Sequence, residues 1–395
     1  MYPEVWGAYH RQDDIRLESS SGGVFSALAE KVIADGGIVY GAVMEYTQTG
    51  LVCVHIACET EEGLRRLRGS KYIRSELGHV FFDIQRQLKT GRTVLFVGTP
   101  CQAAALEAFL GERPENLLAI DLICHGVPVP FVLKKCMEEQ EAKHQTEIVD
   151  VRFRDKTEGW RNYSIVTHGK DGVIQSELQT KSDFMKLFLS NQFLRSSCYD
   201  CQFKADNYRS DITLGDFWGV ETCVELPSEE LHKGVSVVVI HSERGKRLFE
   251  VASDRMGIFP YTMEYFRRGN ICYMRSIQKP SDNLLFSRML TGCSTQRILQ
   301  LLDRLQPLRR VGDRAVRLGK RMGICKSGSP EQPGVLPGKD RCYECRNCEN
   351  VCPVGAISMQ QDKTGVIHAV VDQEKCIHCN KCVRVCPRHY SGNKG

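Results

Sequence analysis

The chain has 395 residues, 42% of them hydrophobic and 26% charged, with a formal net charge of +5. That length holds two or three domains with a sizeable buried core; the modest charge gives no reason to expect nucleic acid, and no apolar run is long enough to span a membrane. Nineteen cysteines in so large a chain, whose first residues (Met1–Asp14) lack an apolar signal-like segment, suit a reducing cytoplasm, that of an anaerobe, better than a disulfide framework.

Residues 1–300 alternate β-rich and amphipathic helical runs. Gly37–Met44, Thr93–Val97, Leu118–Ile123 and Val235–Ile240 read as buried strands, with helices predicted over Val24–Ala34, Gly78–Leu88, Gln102–Leu110 and Phe131–Ala142. This order predicts an α/β fold, a mixed and largely parallel sheet with helices. Ile148–Phe153, Tyr163–His168 and Val173–Leu178 look like an antiparallel insertion.

Ser19 to Ser26 (SSSGGVFS) leads into the first of these helices. Small residues at a helix N-terminus let backbone N–H groups approach an anion, such as the pyrophosphate of FAD. Serines there are also ordinary helix caps. Gly98 to Gln102 (GTPCQ) joins a strand to a helix and sets Cys101 where a thiolate is favoured. Asp121 to Gly126 (DLICHG) places Cys124 at the end of the next strand. If those two strands are parallel neighbours, both sulfurs emerge at the carboxyl edge, where α/β folds collect cofactors. Cys198 and Cys201 form a CxxC, which needs two more ligands to hold a metal. Cys101 and Cys124 could supply them and complete a 4Fe–4S site; a zinc site, a redox dithiol or inert buried thiols are the alternatives. Cys53, Cys58, Cys136, Cys223, Cys272, Cys293 and Cys325 are scattered and read as core packing.

A helical, Arg-rich stretch covers Ile298–Met322, with basic residues from Arg304 to Lys326, and a Ser/Pro/Gly-rich linker follows over Lys326–Lys339. The basic stretch reads as a solvated helix face or as a dock for an acidic electron carrier. The boundaries expected are therefore 1–300, 301–339 and 340–390. In the last segment Cys342, Cys345, Cys348 and Cys352 precede Pro353, and Cys376, Cys379, Cys382 and Cys386 precede Pro387. Each is the C-x2-C-x2-C-x3-C-P run of two-cluster ferredoxins, in which the fourth thiolate crosses to the other cubane. Cys386 should complete the first 4Fe–4S cluster and Cys352 the second, within a small α+β ferredoxin-like domain.

With these pieces together the chain resembles the beta subunit family of the coenzyme F420-reducing hydrogenases and dehydrogenases, which are iron–sulfur flavoproteins. The matching residues are Ser20–Gly23, Gly69–Tyr72, Val94–Gln102, Asp121–Pro128, Phe153–Lys156 with Gly159 and Trp160, and Cys198–Gly219. The resemblance implies a bound FAD near Ser20, Ser21, Gly22, Gly23, Ser70, Lys71, Tyr72, Gly98, Thr99 and Gln102. Lys71 is the implied catalytic cation, offsetting negative charge on the reduced ring. In relatives the ferredoxin-type cysteines usually come before the flavin domain; here they follow it.

The expected function is an FAD-dependent iron–sulfur oxidoreductase that exchanges electrons with a carrier protein such as ferredoxin. Its other partner would be a small-molecule hydride acceptor or donor, with a deazaflavin coenzyme one possibility. The alternatives are a non-catalytic electron-transfer subunit of a larger redox complex, or homo-oligomer, and a thiol enzyme using Cys101 with His125 as base.

Overall fold

The computed structural model describes residues 3–48, 50–222, 224–321 and 335–390. Cys223, Cys325 and most of the expected linker lie outside the described residues. No helix among the described residues is long and apolar enough to cross a membrane.

An eight-stranded mixed sheet forms the centre. Its strands, in spatial order, are Met256–Tyr261, Glu4–His10, Ser236–Ile240, Ile212–Asp216, Leu117–Leu122, Val94–Gly98, Ile38–Thr47 and Gly50–Cys58. The four from Ile212–Asp216 to Ile38–Thr47 run parallel, and the outer strands pair antiparallel. The parallel core was expected; the strands Glu4–His10, Gly50–Cys58, Ile212–Asp216 and Met256–Tyr261 were not. Three of these are antiparallel strands toward the two edges, covered less evenly than a central parallel strand; Ile212–Asp216 is central and parallel, but its apolar run is short and broken by Thr213 and Gly215.

Period-two alternation divides the core between the two faces. Val39 and Leu95 meet Val24, Ala27 and Leu28 of the helix Val24–Ala34. On the opposite face Ile38, Tyr40, Val94 and Phe96 meet Phe81 and Ile84 of the helix Val80–Lys89, together with Leu106 and Phe109 of the helix Pro100–Leu110. Val94–Gly98 is buried along its whole length, which is why it reads as an unbroken apolar run.

The strands Ile148–Asp155, Ser164–Gly169 and Gly172–Leu178 make a separate three-stranded antiparallel sheet, as the sequence suggests. Helices Pro130–His144, Asp183–Leu189 and Asn283–Met289 supply its second core. The long helix Thr295–Arg321 begins in that core through Ile298 and Leu302.

The C-terminal segment carries a hairpin of Ile357–Gln361 with Ile367–Val371 and two short helices, Asn347–Asn350 and Lys381–Arg384. It packs directly on the large domain. Asn347, fully buried, donates to the Ala105 carbonyl at 2.8 Å, and the Phe131 N–H donates to the Thr364 carbonyl at 3.0 Å. Arg388 donates to the Asp200 carboxylate at 2.9 Å.

Candidate redox site

The parallel pairing of Val94–Gly98 with Leu117–Leu122 runs in register from Val94 opposite Leu117 to Gly98 opposite Asp121. Both strands therefore end at one edge. Thr99 caps the helix Pro100–Leu110 in a reciprocal box with Gln102, and Pro100 occupies the first turn. That start fixes Cys101 at the helix N-terminus, with its sulfur 3.2 Å from the Thr99 hydroxyl. Cys198 lies in the helical turn Ser196–Tyr199 and accepts the Val127 N–H at 3.4 Å, beside the loop that leaves Cys124.

The four thiols Cys101, Cys124, Cys198 and Cys201 feel one another. Burial pushes the Cys124 thiol up to about 12, and Cys198, Cys101 and Cys201 push it the same way. Cys201 is likewise raised to about 12, by burial first and then by Cys101. Two cations oppose this crowding: Lys204 acts on Cys124 and Cys201, and Arg195 on Cys198. Lys204 is held in place by donating to the carbonyls of Cys124 and Cys272, at 2.5 and 2.7 Å. His125 is engaged with Asn191 at 2.6 Å and with the Cys272 sulfur at 3.6 Å. Both its ring nitrogens are thus occupied away from Cys101, which removes the geometry a thiol enzyme with this pair requires.

In the C-terminal segment Cys342, Cys345, Cys348 and Cys386 line one small cavity, together with Tyr343, Met359, Ala369 and Pro387. Burial raises Cys345 to about 12 and Cys386 to about 11, with mutual repulsion among the thiols adding to both. Cys376, Cys379 and Cys382 form the other group, raising Cys382 after burial does. Cys352 accepts the Ala356 N–H at 3.2 Å. The two groups differ in solvent access. Cys345, Cys348 and Cys386 are buried against the large domain, whereas Cys379 is exposed and Cys352, Cys376 and Cys382 are half-buried. Among the described residues no three His, Cys, Asp or Glu side chains converge as a site for one metal ion. A cubane, whose four irons hold the thiolates apart, does not require that convergence.

The residues expected around a flavin fall into two kinds. Ser20 and Ser70 are brought together, the Ser70 N–H donating to the Ser20 hydroxyl oxygen at 2.6 Å. Gly23 takes φ +82 at the start of Val24–Ala34, and Gly69 takes φ +81 with open space around it. Others are spent on the fold. Ser21 donates to the Val235 carbonyl, and the Gly22 N–H donates to the Ser236 hydroxyl. A Cβ on Gly22 would lie 2.6 Å from the Ala8 carbonyl oxygen, so its smallness serves packing against the sheet. Gly98, Thr99 and Gln102 build the helix start, and Gln102 also donates to Ser75 at 2.8 Å. Lys71 donates to the carbonyls of Arg66, Leu67 and Arg68 at 2.8–3.2 Å, at the C-terminal end of the helix Glu61–Leu67. Burial pulls its amine down to about 8.

Residues not assigned a role from sequence surround this edge. Arg154, buried, pairs with Asp216 at 2.9 Å, reaches the Tyr72 hydroxyl and the Ser20 carbonyl, and lies 4.1 Å from the Tyr163 ring centre. Its Nε has no hydrogen-bond partner. Lys156 donates to the carbonyls of Arg16, Ser21 and Lys233, and burial pulls its amine down to about 7. Trp160 donates to Asp216 and stacks on the exposed Trp218 at 5.1 Å. A basic pair two positions apart at the end of a strand was the signal for Arg154 and Lys156, but only the tertiary fold shows that both turn inward.

A mixed α/β domain with a cysteine-rich edge, joined to a two-cluster ferredoxin module, defines an iron–sulfur electron-transfer protein. Residues 91–259 match the family model for the C terminus of the coenzyme F420 hydrogenase/dehydrogenase beta subunit, and residues 341–390 match that of the 4Fe-4S dicluster domain. Residues 91–259 therefore carry a domain of that beta subunit type, with the dicluster domain on its C-terminal side. No curated protein matches the chain. Among solved structures, a chain of the F420-reducing NiFe hydrogenase complex from Methanosarcina barkeri, studied by xenon derivatization, aligns at 18% identity and a TM-score of 0.47. The alignment covers 68% of this chain and 88% of that one.

Proposed function

We propose that the chain is an iron–sulfur flavoprotein oxidoreductase linking a one-electron carrier protein to a small organic hydride acceptor or donor. The observation that carries this is the arrangement of three cysteine groups, one on the solvent side of the module, one buried within it and one at the carboxyl edge of the large domain's sheet. Cys352, Cys376, Cys379 and Cys382 hold the exposed 4Fe–4S site, Cys342, Cys345, Cys348 and Cys386 the buried one, and Cys101, Cys124, Cys198 and Cys201 a third in the large domain. Bound FAD would supply the exchange between single electrons and a two-electron acceptor.

The residues at the carboxyl edge fit such a group. The Ser20 hydroxyl and the Gly23 helix start can donate, Gly69 leaves open space beside them, and the orphaned Nε of Arg154 lacks the acceptor a ligand would bring. Lys71 is the candidate cation for a reduced ring; its three N–H donors go to the Arg66, Leu67 and Arg68 carbonyls, so it would act through its charge and not through a hydrogen bond. The test is anaerobic purification with iron and flavin counted. About twelve irons per chain, four for each cubane, and one flavin are expected; a flavin-free protein that takes none up overturns the enzyme reading.

The exposed face of the long helix favours a second reading, as an electron-transfer subunit of a larger complex. Leu308, Val311 and Leu318 are all exposed there, with Arg310 and Arg314 alongside, as on a helix that docks a partner. Flavin bound without turnover by the isolated chain would select it.

A further inference from the structure

We infer that Tyr343 is the shared wall between the buried cluster site of the ferredoxin module and the third site of the large domain, and that the module works in this docked position without swinging away. The inference rests on the three-cluster reading above and concerns how two of its sites are joined.

Tyr343 follows Cys342 directly and is 4% exposed. Its ring lines the cavity shared by Cys342, Cys345, Cys348 and Cys386. The same ring packs in one apolar cluster with Ala104, Phe203, Cys101 and Cys201, at 5.3 Å from the Phe203 ring centre. One side chain therefore lies between the two sites, lining the cavity of one and sharing an apolar cluster with ligands of the other. The Tyr343 hydroxyl is fixed by Arg388 at 3.0 Å and by the Gln202 N–H at 3.4 Å. A second connection runs beside it: the Gln202 amide donates to the Pro387 carbonyl at 2.9 Å. Gln202 follows Cys201 and Pro387 follows Cys386, so this hydrogen bond ties the side chain next to a ligand of one site to the backbone next to a ligand of the other.

The surroundings are built to hold this contact. Glu344, next to Tyr343, is 5% exposed and pairs with Arg195, itself 2% exposed, and with Arg74 at 3.4 Å. The Glu344 N–H donates to the Cys342 sulfur at 3.3 Å. Arg388 is buried and pairs with Asp200 between Cys198 and Cys201. Charged groups buried on both sides of an interface are expensive to separate, because each would be left unpaired. A carrier domain that detached in each cycle would be joined by exposed polar contacts instead. Here a one-electron donor outside the chain delivers to the exposed site, and the electron's onward path crosses Tyr343 with no bond made or broken in the protein.

The full-length chain, purified without oxygen and counted for iron, is frozen after full reduction with dithionite and examined by electron paramagnetic resonance. The wild type should show spin–spin interaction involving the third site, and Cys124→Ser, which removes a ligand of that site, should lose it. Tyr343→Phe keeps the ring and should keep the interaction. Tyr343→Ala should weaken it and slow flavin reduction by a protein donor, with iron content unchanged. A fully loaded wild type whose spectrum shows only the two module clusters interacting, as Cys124→Ser would, overturns the inference while leaving three clusters standing. Iron for only two cubanes per chain overturns the reading beneath it instead. Should Tyr343→Ala lose iron, the comparison of wild type with Tyr343→Phe and Cys124→Ser still decides.

Discussion

Glu344 carries opposite charge for two buried arginines, so its removal should loosen the whole module. In Glu344→Leu, Arg195 and Arg74 would both lose their counter-charge on the large-domain side of a dry interface, their side chains being 2% and 7% exposed. Breaking a buried pair by deleting one partner costs about 3–5 kcal/mol. The lower end is taken here because Arg195 would keep an acceptor on the module, the Cys342 carbonyl at 3.3 Å. About 3 kcal/mol shifts the balance between docked and undocked module by roughly a hundredfold. Glu344→Gln keeps an acceptor for Arg195 without the charge, and about 1–2 kcal/mol is expected. Hydrogen–deuterium exchange on the oxygen-free full chain reads this directly, at Ala103–Ala108, Ser196–Phe203 and Tyr343–Val351. Exchange in those segments should rise together, more in Glu344→Leu than in Glu344→Gln. If Glu344→Leu exchanges there within about threefold of wild type, the buried-charge argument fails.

Other outcomes follow from single contacts. Cys386→Ser should cost about four irons per chain while the spectrum of the Cys376, Cys379 and Cys382 site survives; simultaneous loss of both module clusters would refute the assignment by cavity. Gly22→Ala forces a methyl within 2.6 Å of the Ala8 carbonyl and should lower stability by about 1–3 kcal/mol, seen as a fall in Tm. Lys71→Met strips three carbonyls of their donor and should cost about 1–2 kcal/mol in urea unfolding. If Lys71 also offsets charge on a reduced flavin, the flavin potential falls in the same variant; an unchanged potential leaves it a helix cap. His55 is buried, its ring nitrogen lies 3.0 Å from the Val97 carbonyl, and burial lowers it from 6.5 to about 4. The unfolded chain therefore binds this proton first, and stability present above about 6.5 is lost as pH falls toward about 4, by up to roughly 3 kcal/mol. His55→Phe should flatten that limb of the Tm–pH curve.

Local pattern alone was enough for three of the four parallel strands and for the ferredoxin module, but not for Ile212–Asp216. Val94–Gly98 is apolar throughout because both its faces are covered, and the doubled cysteine run is a ligand spacing that little else uses. The grouping of Cys101 and Cys124 was legible too, because parallel register places two strand ends side by side. Other things only tertiary contact decided. Nothing in the spacing of Ser19–Gly23 distinguishes a serine that binds its own sheet from one that faces a ligand, since both need small polar residues at a helix start. Arg154 and Lys156 look like surface cations until three separate segments close over them. The docking of the module on Pro100–Leu110, and with it the place of Tyr343, depends on residues some 240 positions apart, as in the Asn347–Ala105 hydrogen bond. Short-range pattern holds no record of such pairings, because each side chain's partner is chosen by the packing of the whole chain.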